Sequence, residues 1–167
     1  KLIYNSLIKS HIEYGILAYG GCNNKGINRI KTLQKRAVRT VHNKARSVHA
    51  DPLFGKLRLL KFDDIYKLNS GTFMHRYVNE KLPVSFRGMF NSLSELNRTN
   101  NFLLERVKYK RYEWFPKVNI PKLWNSLTLD VKTTKSINIL KNSLMSSCFK
   151  EYNSFKCLKS VCYSCRH

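Results

Sequence analysis

The stretch INRIKTLQKRAVRTVHN, residues 27–43, contains the clearest helical pattern in the chain. Its apolar residues fall on one side of a helical wheel and its cations on the other, as expected for a helix with one buried face. The pattern therefore predicts a core helix with an exposed basic surface. The apolar side holds Ile30, Leu33, Ala37, Val38 and Val41, and the cationic side holds Arg29, Lys31, Lys35, Arg36 and Arg39.

A second helix is predicted before this segment, over residues 1–19, because apolar residues recur there at spacings of about three and four. The adjacent glycines at 20–21 and the adjacent asparagines at 23–24, within residues 20–26, predict a turn that ends this helix through left-handed backbone conformations.

Two more helices are predicted after residues 27–43. Residues 51–56 begin with Asp-Pro, a good helix start. Asp63 or Asp64 then caps a helix that runs to about Glu80. Together these segments predict a small helical bundle over residues 1–83.

The chain is less regular from residue 84 onward. Residues 84–104 contain a glycine and a polar run and are predicted to be a linker. The basic, aromatic residues 103–115 alternate only in part, which fits either one or two short strands or an extended basic arm. A short helix is predicted to begin at Pro121.

A final helix, capped by Ser136, is predicted from Ile137 to about Tyr152, with an apolar stripe that includes Leu140 and Leu144. The predicted fold class is thus mainly α, a small bundle followed by a basic, less regular segment and a C-terminal helix. The predicted domains are residues 1–83, a linker at 84–104, a basic aromatic segment with the C-terminal helix at 105–152, and a cysteine-rich tail at 153–167.

The charge of the chain indicates the kind of partner. Its 167 residues carry 31 Lys and Arg against 10 Asp and Glu, a formal net charge of +21. Such an excess is usually retained because a polyanion neutralises it, and the phosphate backbone of nucleic acid is the default candidate. An unbroken apolar run of about 18 residues is missing, so neither a transmembrane helix nor a membrane partner is expected.

Two basic surfaces are candidate nucleic-acid contacts. The first is the cationic side of the helix at residues 27–43, extended by Lys44 and Arg46, whose cations would contact phosphates without reading sequence. The second lies in residues 106–117, where rings and cations interleave. That composition suits stacking on single-stranded nucleic acid, and it equally suits a strand with aromatic residues inward and cations outward. Its candidate contacts are Arg106, Lys108, Tyr109, Lys110, Arg111, Tyr112 and Trp114.

The cysteine-rich tail offers a candidate metal site. Cys157, Cys162, Cys165 and His167 supply three thiolates and an imidazole, and the C-x-x-C spacing is typical of zinc ligands. A structural zinc ion and a terminus with free thiols are both compatible with this pattern. Clustered cysteines differ from the spread disulfide framework of small secreted domains, so an intracellular location, nucleus or cytoplasm, is expected.

Three stretches taken in order carry a family resemblance. They are YNSLI with HIEYGILAYG (residues 4–8 and 11–20), LQKRAVR (33–39), and PKLWNSL with KSI (121–127 and 135–137). Together they resemble the segment that follows the catalytic palm in reverse transcriptases of non-LTR retrotransposons of the LINE type, jockey-like or CR1-like. Their order and spacing cover most of the chain.

The resemblance implies a thumb-like, post-palm helical region of an RNA-directed DNA polymerase. Its implied partners are the missing palm and an RNA–DNA or DNA duplex, with single strands as a further candidate. The family's polymerase and endonuclease active sites lie upstream of this segment. Two positions depart from the family pattern, Tyr19 where tryptophan is usual and Thr128 in place of a proline.

The chain is not expected to catalyse on its own. Polymerase chemistry needs carboxylates that hold two Mg²⁺ ions, so magnesium is expected only in the palm. The nearest motif, Phe62-Asp63-Asp64, lacks the residue that the family places between ring and acidic pair, and it suits a helix N-terminus instead. The sequence leaves two alternatives open. One is a stand-alone zinc-binding adaptor for nucleic acid or protein, and the other is a degenerate element fragment.

Overall fold

Helices dominate the computed structural model, which describes residues 1–22, 25–93, 100–109 and 112–153. The mainly α fold class is confirmed. The helices are α1 (Ser10–Glu13), α2 (Ile16–Tyr19), α3 (Lys25–Val41), α4 (Asp51–Leu57), α5 (Phe62–Val78), α6 (Pro116–Asn125), α7 (Leu129–Lys132) and α8 (Ile137–Asn153), with a π-helical segment at Tyr4–Lys9 and a 3₁₀ turn at Val84–Phe86.

The described residues form two compact units that alternate along the chain. Unit 1 comprises residues 1–14, 25–65 and 145–153. Unit 2 comprises residues 15–22, 66–93, 100–109 and 112–144. Helices α5 and α8 each contribute residues to both units. This division does not coincide with the predicted boundaries at residues 83 and 104, because segments distant in sequence share each core.

The N-terminal helix predicted over residues 1–19 is interrupted at Tyr14 and Gly15. Gly15 has φ of +64°, a left-handed conformation that glycine adopts at little steric cost. Before this break, Tyr4 and Ile12 are buried in unit 1. Part of the predicted apolar face is exposed instead: Leu2, Ile3 and Leu7.

Gly20 lies in the predicted turn at residues 20–26, where its small size matters more than its conformational freedom. The prediction of left-handed conformations is wrong for Gly20, whose φ is −66°. A Cβ at Gly20 would lie 2.5 Å from the ring carbon Cδ2 of Tyr66. Gly20 therefore permits the chain to approach the Tyr66 ring within unit 2. Asn23 and Asn24, the other residues of that prediction, lie outside the described residues.

The core of unit 1 is assembled around α3 and α4. Asp51 lies in the first turn of α4 with Pro52 beside it, so the predicted Asp-Pro helix start is confirmed to within a residue. Apolar residues with less than a tenth of their surface exposed form the core: Tyr4, Ile12, Ile27, Val38, Ala50, Leu53, Phe54, Leu59, Leu60, Phe62, Ile65, Cys148 and Tyr152.

The core of unit 2 includes part of the predicted linker. Phe90 and Phe102 are each 7% exposed and pack edge-to-face against each other and against Tyr77. The side-chain amide of Asn125 accepts from the backbone N–H of Phe102 at 2.9 Å and donates to its carbonyl at 2.8 Å. Residues 84–104 thus contribute to a core, because aromatic side chains and an asparagine anchor a segment with little regular structure.

Two further expectations for the second half differ from the structure. No strand forms among residues 100–109 and 112–115, where the only β-type pairing is the isolated bridge of Phe102 with Ser92, and residues 103–107 have no regular secondary structure. The short helix begins at Pro116, and Pro121 lies buried inside it. The final helix is confirmed as α8, which begins at Ile137.

Candidate nucleic-acid interface

Helix α3, the centre of the first predicted interface, is positioned by a buried glutamine. The amide nitrogen of Gln34 donates to the Tyr4 hydroxyl at 2.9 Å and to the Leu60 carbonyl at 3.0 Å. Its amide oxygen accepts from the backbone N–H of Phe62 at 2.9 Å. Gln34 is only 3% exposed, so α3 is fixed in rotation by a fully bonded polar side chain rather than by apolar residues alone.

This contact rotates the buried face of α3 away from the predicted apolar side. Ile27 and Val38 are buried with Gln34, whereas Leu33 is 51% exposed and Val41 36% exposed. The prediction that Leu33 and Val41 face the core is therefore wrong. The helix ends at Val41; Asn43 then has a left-handed φ of +50°, and the N–H of Lys44 bonds to the Arg39 carbonyl at 2.9 Å.

Two of the predicted cations on α3 already have partners inside unit 1. The Lys31 ammonium lies 2.7 Å from the Asp63 carboxylate and 5.8 Å from the centre of the Phe62 ring. The Arg39 Nε donates to the Val48 carbonyl at 2.7 Å, which ties the loop after α3 to the helix. These two side chains stabilise the fold, and they are less available to a ligand than the sequence indicates.

The remaining cations of the first candidate surface are exposed. We call them the α3 cations: Arg29, Lys35, Arg36, Lys44 and Arg46. Within the described part of the chain, none of them forms an ion pair. Arg29 and Arg36 are two helical turns apart on nearly the same line, a rise of about 10 Å along the helix. Exposed cations along one side of a helix can contact phosphates of a nucleic-acid backbone.

The second candidate surface is a cluster of rings that stack on one another. The rings of Tyr112 and Phe115 are stacked with centroids 5.3 Å apart and an interplanar angle of 20°. The ring centroids of Trp114 and Phe115 are 4.7 Å apart, and the Lys108 ammonium lies 5.6 Å from the centre of the Tyr109 ring. The strand with aromatic residues inward is not formed in the described residues. Phe115, which is 41% exposed, was not among the predicted contacts.

Other members of this cluster have different surroundings. Arg106 is exposed, and Tyr109 is 47% exposed. Lys110 and Arg111 lie outside the described residues, as do the predicted zinc ligands Cys157, Cys162, Cys165 and His167. Cys148 precedes the cysteine-rich tail and is buried in the core of unit 1. Over the described ranges, no group of three or more metal-ligating side chains is found.

The acidic pair after Phe62 lies at the start of α5, as predicted, but the helix begins at Phe62, so both aspartates lie in its first turn and neither caps it. Asp63 pairs with Lys31, and Asp64 accepts a hydrogen bond from the hydroxyl of Tyr152. Burial and the hydrogen bond to Asp64 raise the pKa of Tyr152 above that of free tyrosine. Both carboxylates are thus engaged in contacts within unit 1, and that of Asp64 joins α5 to α8.

Asp51 provides a pH-dependent contribution to unit 1. Its carboxylate lies 2.7 Å from the Lys61 ammonium. Burial opposes ionisation, but the hydrogen bond and charge of Lys61, together with the charge of Lys35, outweigh it and lower the pKa of Asp51. A lowered folded-state pKa means that the pair stabilises the fold above the unfolded pKa of about 3.9 and that this stability is lost as the pH falls below it.

We therefore expect Asp51→Asn to lower the free energy of unfolding at neutral pH by up to about 1 kcal/mol, since the pair is partly exposed to solvent. Denaturation curves of the wild type and of Asp51→Asn at neutral pH and well below the lowered folded-state pKa of Asp51 measure this difference. The two proteins should become equally stable at the lower pH. A difference that persists there would show that Asp51 acts through packing rather than charge.

The motif residues that carry the family resemblance organise the two cores. Tyr4 of the first motif and Gln34 of the second are joined by the hydrogen bond between hydroxyl and amide. Trp124 of the third motif is 1% exposed, and its indole N–H donates to the Asn100 carbonyl at 2.9 Å. Asn125, next to it, anchors Phe102. The motifs thus specify the packing within each unit.

Comparisons with known proteins give no match: no protein-family model, curated protein or solved structure matches this chain. Across the described ranges, no helix is both long and apolar enough to cross a membrane. The chain's own residues, their charges and their contacts therefore carry the functional conclusion.

Proposed function

We propose that this chain binds nucleic acid through phosphate contacts made by the α3 cations, as the post-palm, thumb-like region of a non-LTR retrotransposon reverse transcriptase. The observation that carries the proposal is the exposure of these cations, unpaired among the described residues, in a chain with a net charge of +21. Phosphates would neutralise these cations, of which Lys35 lies near enough to a carboxylate, Asp51, to influence its pKa.

The contacts of Gln34 support the proposal because they give α3 a fixed rotation. If the rotation of α3 were not fixed, the direction in which its lysines and arginines point would not be defined. Here Arg29, Lys35 and Arg36 are held on the exposed side, away from the buried residues Ile27 and Val38. A rigid helix that presents cations along one side suits the backbone of a primer–template duplex, whose sequence it need not read.

The test is the salt dependence of binding to a primer–template RNA–DNA duplex. We expect the triple variant Arg29→Gln/Lys35→Gln/Arg36→Gln to bind more weakly and to reduce the slope of log affinity against log salt by about 2 to 3, because each lost phosphate contact removes about 0.7 to 0.9 from the slope. Fluorescence anisotropy over a series of salt concentrations measures both quantities. Lys31 and Arg39 are left intact because they hold the fold.

The matched control is Arg76→Gln/Lys122→Gln/Lys150→Gln, which removes the same charge from exposed positions on other helices. If both triple variants lose affinity and slope equally, only net charge matters and the α3 surface is not the site. If neither differs from the wild type while a zinc chelator abolishes binding, the adaptor hypothesis based on the cysteine-rich tail is favoured instead.

A further inference from the structure

A second basic site lies in unit 1, in a groove of about 400 Å³. Its walls come from the N-terminal segment, from the connection between α4 and α5, and from the last part of α8. Leu59 and Leu60, which are largely buried, form apolar lining. Its other lining residues are Lys1, Asn5, Lys9, Arg58, Met145 and Phe149, and no carboxylate lines it among the described residues.

Arg58 occupies an unusual backbone position beside this groove. It follows the last residue of α4 with φ of +50° and ψ of +52°, and its N–H bonds to the carbonyls of Gly55 and Phe54. Helices most often end in this left-handed conformation with glycine, because a side chain there is sterically disfavoured. Residues held in such sparsely populated backbone conformations cluster at functional sites, which directs attention to the Arg58 side chain.

The Arg58 side chain lies against an aromatic ring. The guanidinium carbon is 5.7 Å from the centre of the Phe149 ring. Phe149 packs edge-to-face on Tyr152 at 5.7 Å, and Tyr152 is buried and hydrogen-bonded to the N–H of Lys61 at 3.0 Å. A buried tyrosine with fixed partners therefore supports the ring beneath Arg58.

Lysines supply the remaining positive charge. Lys1, Asn5 and Lys9 are spaced by four residues along the helical N-terminal segment and line the same groove. Lys9 pairs with Glu13 at 3.4 Å, on the following helical turn. Exposed pairs at this spacing are weak, so Lys9 can exchange Glu13 for a phosphate that enters the groove.

We propose that this groove binds one unpaired nucleotide, with its base stacked on the Arg58–Phe149 pair and its phosphate held by Lys9 and Lys1. Guanidinium planes and aromatic rings are the usual stacking partners of splayed-out bases, and lysines are the usual partners of phosphates. The volume falls within the range of about 300–1,000 Å³ that is typical of small-molecule sites. The nucleotide is either free or part of a single strand. This site is distinct from the α3 cations, which would contact duplex phosphates.

The test uses the full chain and a labelled single-stranded oligothymidylate, with a blunt duplex of the same length as the second probe. Arg58→Gly is the decisive variant because glycine suits the backbone at this position, so the thermal midpoint should be unchanged or higher. We expect it to weaken single-strand binding about tenfold, the scale of one lost base stack, and to change duplex binding no more than its control. Phe149→Leu, which keeps an apolar side chain, should act in the same direction.

The control is Arg76→Gln, which removes one exposed arginine from α5 outside the groove. Competition by thymidine 5′-monophosphate identifies the source of the ligand: displacement of the oligonucleotide indicates a free nucleotide, and no displacement indicates a nucleotide within a strand. Either result supports the site if Arg58→Gly weakens single-strand binding. The proposal is overturned if Arg58→Gly binds the oligonucleotide as Arg76→Gln does. The failure of α3 duplex binding would leave this result unaffected, because the two sites are measured with different probes.

Discussion

Replacing Gln34 with leucine is expected to lower the free energy of unfolding by about 3 kcal/mol, although it introduces an apolar side chain at a buried position. The reason is the three partners of the Gln34 amide: the Tyr4 hydroxyl, the Leu60 carbonyl and the Phe62 N–H. Each would lose this hydrogen bond inside the core, at a cost of about 1–3 kcal/mol, and the added leucine surface offsets only part of this.

Urea denaturation followed by far-UV circular dichroism measures the loss. Tyr4→Phe removes only one of the three partners and should cost about 1 kcal/mol. The control is the adjacent Leu33→Ala, which alters a half-exposed side chain and should change stability by no more than about 0.5 kcal/mol. If Leu33→Ala were the more harmful change, Leu33 rather than Gln34 would face the core of unit 1.

Local patterns were sufficient to predict the three longest helices. The segments α3, α5 and α8 each carry their signal within a few turns, as apolar spacing or as Asp or Ser start signals. The phase of α3 could not be predicted in the same way. Burying a glutamine in place of its leucine neighbour depends on acceptors and donors at Leu60 and Phe62, which no window around α3 contains.

The candidate interface shows the same limit. The sequence identified the cations of α3 as a group, but it could not separate Arg36, which is exposed, from Lys31, which pairs with Asp63 in another helix. Likewise, residues 84–104 resemble a linker because they are polar and contain glycine. Their two buried phenylalanines become core only where Asn125, far along the chain, bonds the backbone of Phe102.

The groove at Arg58 was not predicted at all. A single arginine after a short helix carries no periodic signal, and the left-handed conformation that makes it notable is visible only in the backbone. Phe149 lies partly buried on α8. Its role as a surface for Arg58 depends on the connection between α4 and α5, which the helix pattern does not contain.

Replacing Trp124 with alanine is expected to cost about 4 kcal/mol, the largest single effect in unit 2, because a buried tryptophan leaves a large cavity. Trp124 is 1% exposed in the core with Met74, Ile120 and Leu140. The substitution also leaves the Asn100 carbonyl without its indole donor. Trp124→Phe keeps most of the volume and loses the hydrogen bond, so it should fall between the wild type and alanine.

Fluorescence makes this measurement specific to unit 2, because both tryptophans of the chain, Trp114 and Trp124, lie in that unit. Trp114 remains as the reporter when Trp124 is replaced. The matched control is Trp114→Ala, which removes a partly exposed ring that contacts Phe115. It should cost at most about 2 kcal/mol, because solvent can fill the space that the ring leaves. Equal losses for the two tryptophans would mean that the indole of Trp124 does not anchor this core, and the third motif would then require another explanation.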